Sequence, residues 1–272
     1  MRDDPGLRED PAVSGFDAGL DVRAGHAPMG FEYGPGVFGP EPELRSLGAI
    51  RRSLRDPACD GPDPVYAIAM DVGREEHRSE LLRRHLLFGV VTYAKGRLGE
   101  EPVRSQGHVH EVAARSGWSP PELYEIWGGR AIVLMQERAA DDPGRCFAIE
   151  AWPGEVVVVP PGWAHASVSA DPDEPMTFGA WCDRDYAFAY AEVRARGGLA
   201  FFPVLTGEGC VEWRRNPRYA ARALVERRAR AHPELGLVAG EPIYRTFARD
   251  PDAVQWVSDP GRVARLWEGF EP

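Results

Sequence analysis

Short apolar segments separated by turn residues dominate the middle of the chain, from about residue 86 to residue 211. They are rich in β-branched and aromatic residues, and Gly, Pro and Asp separate them. Closely spaced segments of this kind are typical of strands. The pattern therefore predicts an all-β sandwich or barrel rather than a fold in which strands alternate with helices. The segments read LLFGVVTYA, AIVLMQE, CFAIEAW, EVVVVPP, HASVSA and MTFGAWC.

The segments before this region have other patterns. Residues 1–41 are rich in Gly, Pro and Asp and show no sustained period, which predicts an extended N-terminal arm. Apolar residues then recur at spacings of three and four until Asp56-Pro57, which predicts a helix. A strand is predicted for 64–70, and 75–85 fits a helix or a long loop. The apolar positions of the predicted helix are Leu44, Leu47, Ile50 and Leu54.

The C-terminal part of the chain reads as helical. Asn216-Pro217 has the residue types that favour a helix start, and RYAARALVERRARA continues the pattern until His232-Pro233. Aromatic residues in 234–272 are expected to pack this tail onto the barrel or onto a second subunit. The predicted organisation is an arm at 1–41, a central β domain at 42–219 and a C-terminal helical extension at 220–272.

Charge and cysteine content exclude some classes of function. The 272 residues carry a formal net charge of −10, which disfavours nucleic acid or an anionic membrane as the main partner. A small phosphorylated ligand stays compatible, because a few local donors outweigh a weak distant field. The cysteines form no C-x-x-C pair, so neither a disulfide scaffold nor a cysteine zinc site is expected. With no apolar run near 20 residues and an acidic, Pro-rich start, we expect a cytoplasmic protein.

Three histidines and one glutamate stand in a pattern that suits a metal. His108 and His110 are two residues apart, which places both imidazoles on one face of a strand. Glu122 follows, and His165 ends the pattern G-x5-P-x-G-x2-H, in which a Pro-Gly turn delivers a histidine into the barrel. Such a set suits divalent Fe, Mn, Ni or Zn and leaves coordination positions for water or substrate. A His-x-His pair alone is a weak signal; the combination predicts one divalent metal ion.

The same segments carry a family resemblance. GHVH, ELYEIWGG and PGEVVVVPPGWAH resemble the two signature motifs of cupins, and among these they are similar to the archaeal-type glucose-6-phosphate isomerases. Further segments resemble that family in the same order, so the likeness extends from about residue 43 to residue 219. It implies a cupin barrel and a metal-dependent aldose–ketose isomerase that acts on a sugar phosphate, and by analogy a homodimer. These further segments are LRSLGAIRR, DPVYAIAM, DEPMTFGAW, DYAFAYAEVRARGG and EWRRNPRY.

The resemblance also implies residue roles. Glu122 would be the catalytic base as well as a metal ligand, with Tyr124 lining the substrate pocket beside it. Ser105 and Gly107 stand where the family contacts the substrate phosphate, and Tyr186 stands in the DY that follows a barrel strand. The metal ligands would be His108, His110, Glu122 and His165.

Some positions depart from the family pattern. The spacer AARSGWSPP before Glu122 is longer, and Val91 stands where a threonine is expected. The family's histidine after Trp181 is missing, and Arg184 is the nearby candidate to replace its contact with the substrate. These changes affect the pocket rather than the metal ligands. Two other functions therefore stay open, a cupin oxygenase and a non-catalytic cupin that binds sugar phosphates.

Overall fold

Strands dominate residues 16–272, the part of the chain that this computed structural model describes. Twenty strands are formed there: β1 Val22–His26, β2 Met29–Tyr33, β3 Val37–Phe38, β4 Glu43–Arg45, β5 Tyr66–Met70, β6 Gly73–Arg74, β7 Leu86–Tyr93, β8 Arg97–Leu98, β9 Glu101–Pro102, β10 Val109–His110, β11 Glu122–Gly128, β12 Ala131–Gln136, β13 Cys146–Ala151, β14 Val156–Val159, β15 Ala164–Ser169, β16 Thr177–Asp183, β17 Phe188–Ala189, β18 Phe201–Leu205, β19 Val211–Arg215 and β20 Leu224–Arg228.

The helices are short. The α-helices are α1 Leu47–Ile50, α2 Arg78–Arg83, α3 Ala191–Ala195, α4 Ile243–Arg249 and α5 Ala264–Trp267. The 3-10 helices are Arg51–Ser53, Glu75–His77, Gly207–Gly209, Pro233–Leu235, Pro251–Val257 and Pro260–Val263. No helix among residues 16–272 has the length and apolarity that crossing a membrane requires.

Two larger sheets form the body of the protein. One has six strands in the order β14-β11-β16-β7-β5-β4, and the other has four in the order β15-β12-β13-β20. Every neighbouring pair in these sheets is antiparallel except β13 with β20. The predicted all-β class and cupin architecture are confirmed. Each of the six apolar segments noted in the sequence forms a strand: β7, β12, β13, β14, β15 and β16.

The main core lies between the two sheets. Leu87 and Val91 on β7 contribute to the same buried cluster as Val133 and Met135 on β12. All eight residues of β7 are buried, because its alternate side chains, Phe88 among them, belong to a second apolar cluster on the outer face. A strand covered on both faces reads as a continuous apolar run, as LLFGVVTY does.

The C-terminal residues cover the outer face of the six-stranded sheet. Phe247 is fully buried, and its ring centre lies 4.9 Å from that of Trp181 on β16. The Trp181 indole N–H donates to the carbonyl of Ile243 over 3.1 Å. Residues 243–257 therefore cover an apolar face of the sheet that would otherwise be exposed to water.

The predicted helix from Asn216 to His232 is wrong. The Asn216 side chain accepts from the Arg218 N–H at 3.1 Å and makes a turn, after which Leu224–Arg228 forms β20 parallel to β13. Ala, Arg and Leu favour a helix, but propensities of this size give way when the open edge of a sheet offers backbone partners. The C-terminal helices begin only at Pro233, later than the boundary at residue 220 implies.

Two N-terminal expectations also change. The part of the predicted arm that the structure describes, 16–41, contains the hairpin of β1 and β2, and Phe31 and Tyr33 pack against the outer apolar cluster. The helix predicted from Leu44 is shorter than expected. Leu44 belongs to β4 and is 52% exposed, because the backbone of β4 pairs with β5 and delays the helix to Leu47.

Glu125 joins the C-terminal extension to the barrel. This residue of β11 is 1% exposed. Its carboxylate accepts from the Ile243 N–H at 3.0 Å and from the Trp127 indole N–H at 2.9 Å. Burial raises the pKa of Glu125 to about 7, although both hydrogen bonds act in the opposite direction.

This pKa predicts a pH-dependent contribution to stability. The folded-state pKa lies above the ordinary value of 4.5, so Glu125 favours folding most at low pH and loses that contribution as pH rises through about 7. Relative to Glu125→Gln, the free energy of unfolding of the wild type should fall by about 2–3 kcal/mol between about pH 5 and pH 8. Denaturant titrations of the metal-free proteins at a series of pH values measure this difference in the free energy of unfolding. Glu32→Gln, at an exposed site, is the control, and a pH-independent difference for Glu125→Gln would contradict the assignment.

Candidate metal centre

Backbone pairing brings the first and last histidines of the sequence pattern together. The His108 N–H donates to the His165 carbonyl at 3.0 Å, and the His165 N–H donates to the His108 carbonyl at 2.9 Å. Gly107 precedes this bridge with φ +85°, and a Cβ there would lie 3.2 Å from Leu199. Glycine is therefore suited to the turn that leads the chain into His108.

The other two residues come from strands that follow one another in the sequence but belong to different sheets. His110 ends β10, and Glu122 begins β11. One ligand atom from each of His108, His110, Glu122 and His165 lies within 4.8 Å of the others. Three of the four are buried. The structure thus brings together the whole set that the sequence predicted, and these residues can hold a metal ion.

The hydrogen bonds of the histidines orient their free nitrogens toward the centre. The Nδ1 of His110 lies 2.9 Å from the Pro120 carbonyl, and the Nδ1 of His165 lies 3.0 Å from the Trp163 carbonyl. Since a carbonyl only accepts, each Nδ1 carries the proton. The Nε2 atoms are then left to bind a metal, the usual arrangement of histidine ligands.

These Nε2 atoms face the carboxylate. The Glu122 Oε2 lies 3.2 Å from the His165 Nε2 and 3.5 Å from the His110 Nε2, and the Nε2 atoms of His108 and His110 are 3.2 Å apart. Unprotonated nitrogens and a carboxylate oxygen repel one another at such distances unless a positive charge lies between them. The donor set therefore fits a divalent cation.

Two further donors hold the carboxylate of Glu122. The Tyr124 hydroxyl donates to Oε2 at 2.6 Å, and the Cys182 thiol donates to Oε1 at 3.1 Å. Burial, then the charge of Glu122, raises the pKa of both groups well above their usual values. Both groups therefore keep their protons and act as donors that fix the orientation of Glu122.

The pKa directions favour positive charge beside Glu122. Burial and the imidazoles of His165 and His110 hold the pKa of His108 well below its usual value. Burial also acts to lower the pKa of His110, but the hydrogen bond and charge of Glu122 outweigh it and raise the pKa. Burial acts to raise the pKa of Glu122, and its contacts with the imidazoles hold it well below the usual value instead. Protons and metal ions compete for these atoms.

A cavity opens beside the centre, between the two sheets. It has about 580 Å³ of space, including its opening to solvent. His108 and Glu122 form part of its wall together with Tyr124 and Cys182. The centre is therefore accessible to a small molecule from inside the barrel. Other residues of the wall include Arg45, Tyr66, Met70, Val91, Ser105, Gln106, Phe178, Ala180 and Tyr190.

The predicted substrate contacts divide into two groups. Ser105 and Tyr124 line the cavity. Tyr186 packs beside Phe188, with ring centres 5.1 Å apart, and is outside the wall. Arg184 also lies outside it and donates to Asp71 at 2.6 Å and to the Leu86 carbonyl at 3.0 Å. Their roles toward a substrate stay predictions.

Sequence reasoning missed several polar residues of the cavity wall, among them Cys182, Arg45 and Gln106. Cys182 had a signal, since in the predicted strand MTFGAWC it alternates with Phe178 and Ala180 and must share their inward face. Arg45 had none, because its segment read as a helix. Gln106 is next to the predicted Ser105 and Gly107, but nothing in its spacing marked it.

Two facing sheets form a barrel, and three imidazoles and a carboxylate cluster beside its internal cavity. This arrangement defines a cupin with a candidate metal centre. A family model described as glucose-6-phosphate isomerase (GPI) matches residues 47–222. The chain therefore belongs to the glucose-6-phosphate isomerase family. All four clustered residues lie inside the matched segment, as the sequence resemblance implied.

Curated relatives agree with this family. The glucose-6-phosphate isomerases of Thermococcus gammatolerans and Pyrococcus furiosus are each 30% identical, over 159 and 157 residues. These alignments cover 58% of this chain and 75% and 74% of the relatives. The enzyme of Thermococcus onnurineus is 30% identical over 135 residues, 50% of this chain and 64% of the relative.

Solved structures include two distant likenesses. The oxalate decarboxylase of Bacillus subtilis is 15% identical with a TM-score of 0.32, over 45% of this chain and 26% of that chain. The vicilin of Corylus avellana is 10% identical with a TM-score of 0.35, over 67% and 37% of the two chains. Neither likeness bears on the function of this chain.

The donor set predicts a measurable metal site. His165→Ala removes one of the facing Nε2 atoms, and we expect it to lower affinity for Mn²⁺ or Zn²⁺ by at least about tenfold. Titration calorimetry and metal analysis after dialysis measure this. The control is His85→Asn at a half-buried position with φ +53°, which asparagine tolerates. Equal metal content in His165→Ala and wild type would refute the site.

Proposed function

We propose that this chain is a metal-dependent isomerase that interconverts glucose 6-phosphate and fructose 6-phosphate. The observation that carries the proposal is the coincidence of the family segment with the four-residue centre beside a cavity. A bound divalent ion, of Fe, Mn, Ni or Zn, would supply Lewis-acid polarisation of the sugar oxygens. His108, His110, Glu122 and His165 would hold it.

The side chains around the centre suit proton transfer at an open-chain sugar. Isomerisation moves hydrogen between C1 and C2. On the enediol route a base takes the proton from C2 of the aldose, or from C1 of the ketose, and returns it to the other carbon. Glu122 is the carboxylate at the cavity wall, and Tyr124 O–H and Cys182 S–H hold its two oxygens. We propose Glu122 as the base and Tyr124 as the residue that orients it.

We also propose that Ser105 and Gly107 bind the phosphate group of the substrate. Ser105 lines the cavity, and its Oγ accepts from the Ser167 N–H at 3.1 Å, so its own O–H can donate to a phosphate oxygen. Gly107 offers the backbone N–H that the family resemblance implies. Tyr186 and Arg184 lie outside the cavity wall, and Arg184 already has two partners. A cytoplasmic location and a homodimer stay predictions.

Turnover of fructose 6-phosphate by metal-loaded protein tests the proposal. Glu122→Gln removes the base and should lower kcat by about 10²-fold or more, with metal content measured on the same samples. Glu125→Gln is the matched control. It also replaces a buried carboxylate of β11 by an amide, but Glu125 lies on the opposite face of the sheet, away from the cavity. Incorporation of solvent deuterium at C2 reports the enediol route.

Three results would count against this function. Full activity of Glu122→Gln would remove the base assignment. Binding of sugar phosphates without interconversion by any metal-loaded form would favour a binding cupin. Oxygen uptake without isomerisation would favour a cupin oxygenase.

A further inference from the structure

Two residues of the cavity wall carry buried hydrogen-bond donors that have no partner in the part of the protein that the structure describes. The Nε of Arg45 and the Nε2 of Gln106 are buried and make no hydrogen bond among residues 16–272. Both residues line the cavity that reaches His108 and Glu122. A buried donor without a partner destabilises the folded protein, so two of them on one cavity point to a ligand that accepts hydrogen bonds.

Strand register directs Arg45 inward. Arg45 on β4 lies directly opposite Tyr66 on β5, and opposite residues of an antiparallel pair share a face. Tyr66 lines the cavity, so Arg45 lies on its side of the sheet. The Arg45 Nη2 also contacts Glu43 at 2.8 Å, but the Glu43 side chain is 65% exposed, and solvent screens such a pair.

Arg194 fixes the amide of Gln106. The Arg194 Nε–H donates to the Gln106 Oε1 at 2.8 Å, which leaves the amide NH₂ as the group without a partner. The guanidinium carbon of Arg194 lies 4.8 Å from the centre of the Tyr190 ring, and Tyr190 is part of the cavity wall. A second positive charge therefore lies behind the Gln106 amide.

The cavity wall also contains apolar residues, which offer no hydrogen bond to an anion. Met70, Val91 and Phe178 are among them. The hydroxyl of Thr92, adjacent to Val91, lies 2.8 Å from the Thr177 hydroxyl on the opposite face of the sheet. It cannot supply the hydroxyl that Val91 lacks, so an anion in this cavity depends on other donors.

We propose that Arg45 and Gln106 bind the phosphate group of the substrate and thereby select phosphorylated over neutral sugars. A guanidinium and a primary amide offer several N–H donors to the oxygens of one anion. With the phosphate bound there, the sugar carbons extend within the cavity toward Glu122, which is part of the same wall. The inference rests on the proposed function for the identity of the sugar, but phosphate binding itself is measured without turnover.

Calorimetry on metal-loaded protein tests the proposal, with fructose 6-phosphate, inorganic phosphate and fructose as probes. Arg45→Met should weaken both phosphate probes at least about tenfold and leave fructose unchanged. Gln106→Glu keeps the oxygen that accepts from Arg194 and replaces the NH₂ by a carboxylate oxygen. It should weaken both phosphate probes at least as much, because like charges then meet in a buried site.

Arg52→Met is the matched control. It removes one positive charge at an exposed position, so its affinities should stay within about twofold of wild type. Thermal melts test whether each variant is folded. If Arg45→Met does not fold, Arg45→Lys replaces it in the experiment. Lysine keeps the charge and loses the Nε, so intermediate affinity is expected.

The outcomes separate this inference from the proposed function. Wild type that binds fructose 6-phosphate through Arg45 and Gln106 but never isomerises it would defeat the function and leave the inference intact. Wild type that isomerises it, with both variants at wild-type phosphate affinity, would overturn the inference and show Arg45 to be a structural partner of Glu43 and Tyr66.

Discussion

The reciprocal backbone hydrogen bonds between His108 and His165 are the contact on which the centre depends. They join two segments far apart in the sequence and fix the spacing of their imidazoles before any side chain is placed. Glu122 then enters from β11, and carbonyls of Pro120 and Trp163 determine which nitrogens face inward. The centre is thus built on backbone geometry, which is more rigid than contacts between long side chains.

The two faces of the six-stranded sheet differ in function: the inner face lines the cavity, and the outer face packs against the C-terminal extension. On β11, Glu122 and Tyr124 face the cavity, while Glu125 and Trp127 face the C-terminal extension. On β16, Cys182 contacts Glu122 and the adjacent Trp181 packs against Phe247. Gly179 on β16 leaves room for Trp127 on the outer face, because a Cβ there would lie 2.4 Å from the Trp127 ring. The extension stabilises the wall that carries the chemistry without entering the cavity.

The local sequence pattern predicted the structure correctly where a single structural requirement, such as strand alternation or metal ligation, determined each residue type. The six apolar segments became strands, and the His-x-His pair, Glu122 and His165 met in space, because metal ligation and strand alternation both leave a local signature. Prediction failed where a distant partner decided. The 216–232 segment has helical residue types, but β13 offers it an unpaired edge. Leu44 fits a helical period, but β5 pairs with its backbone.

The sequence by itself determined the all-β class, the four members of the centre and the family to which the chain belongs, since each depends on residue types at fixed spacings. Tertiary structure alone decided what surrounds them: the thiol on Glu122, the cover over the outer sheet face, and the inward position of Arg45 and Gln106. These depend on register and on contacts between residues far apart in the chain. No local spacing encodes such contacts, because they arise only when the strands pair.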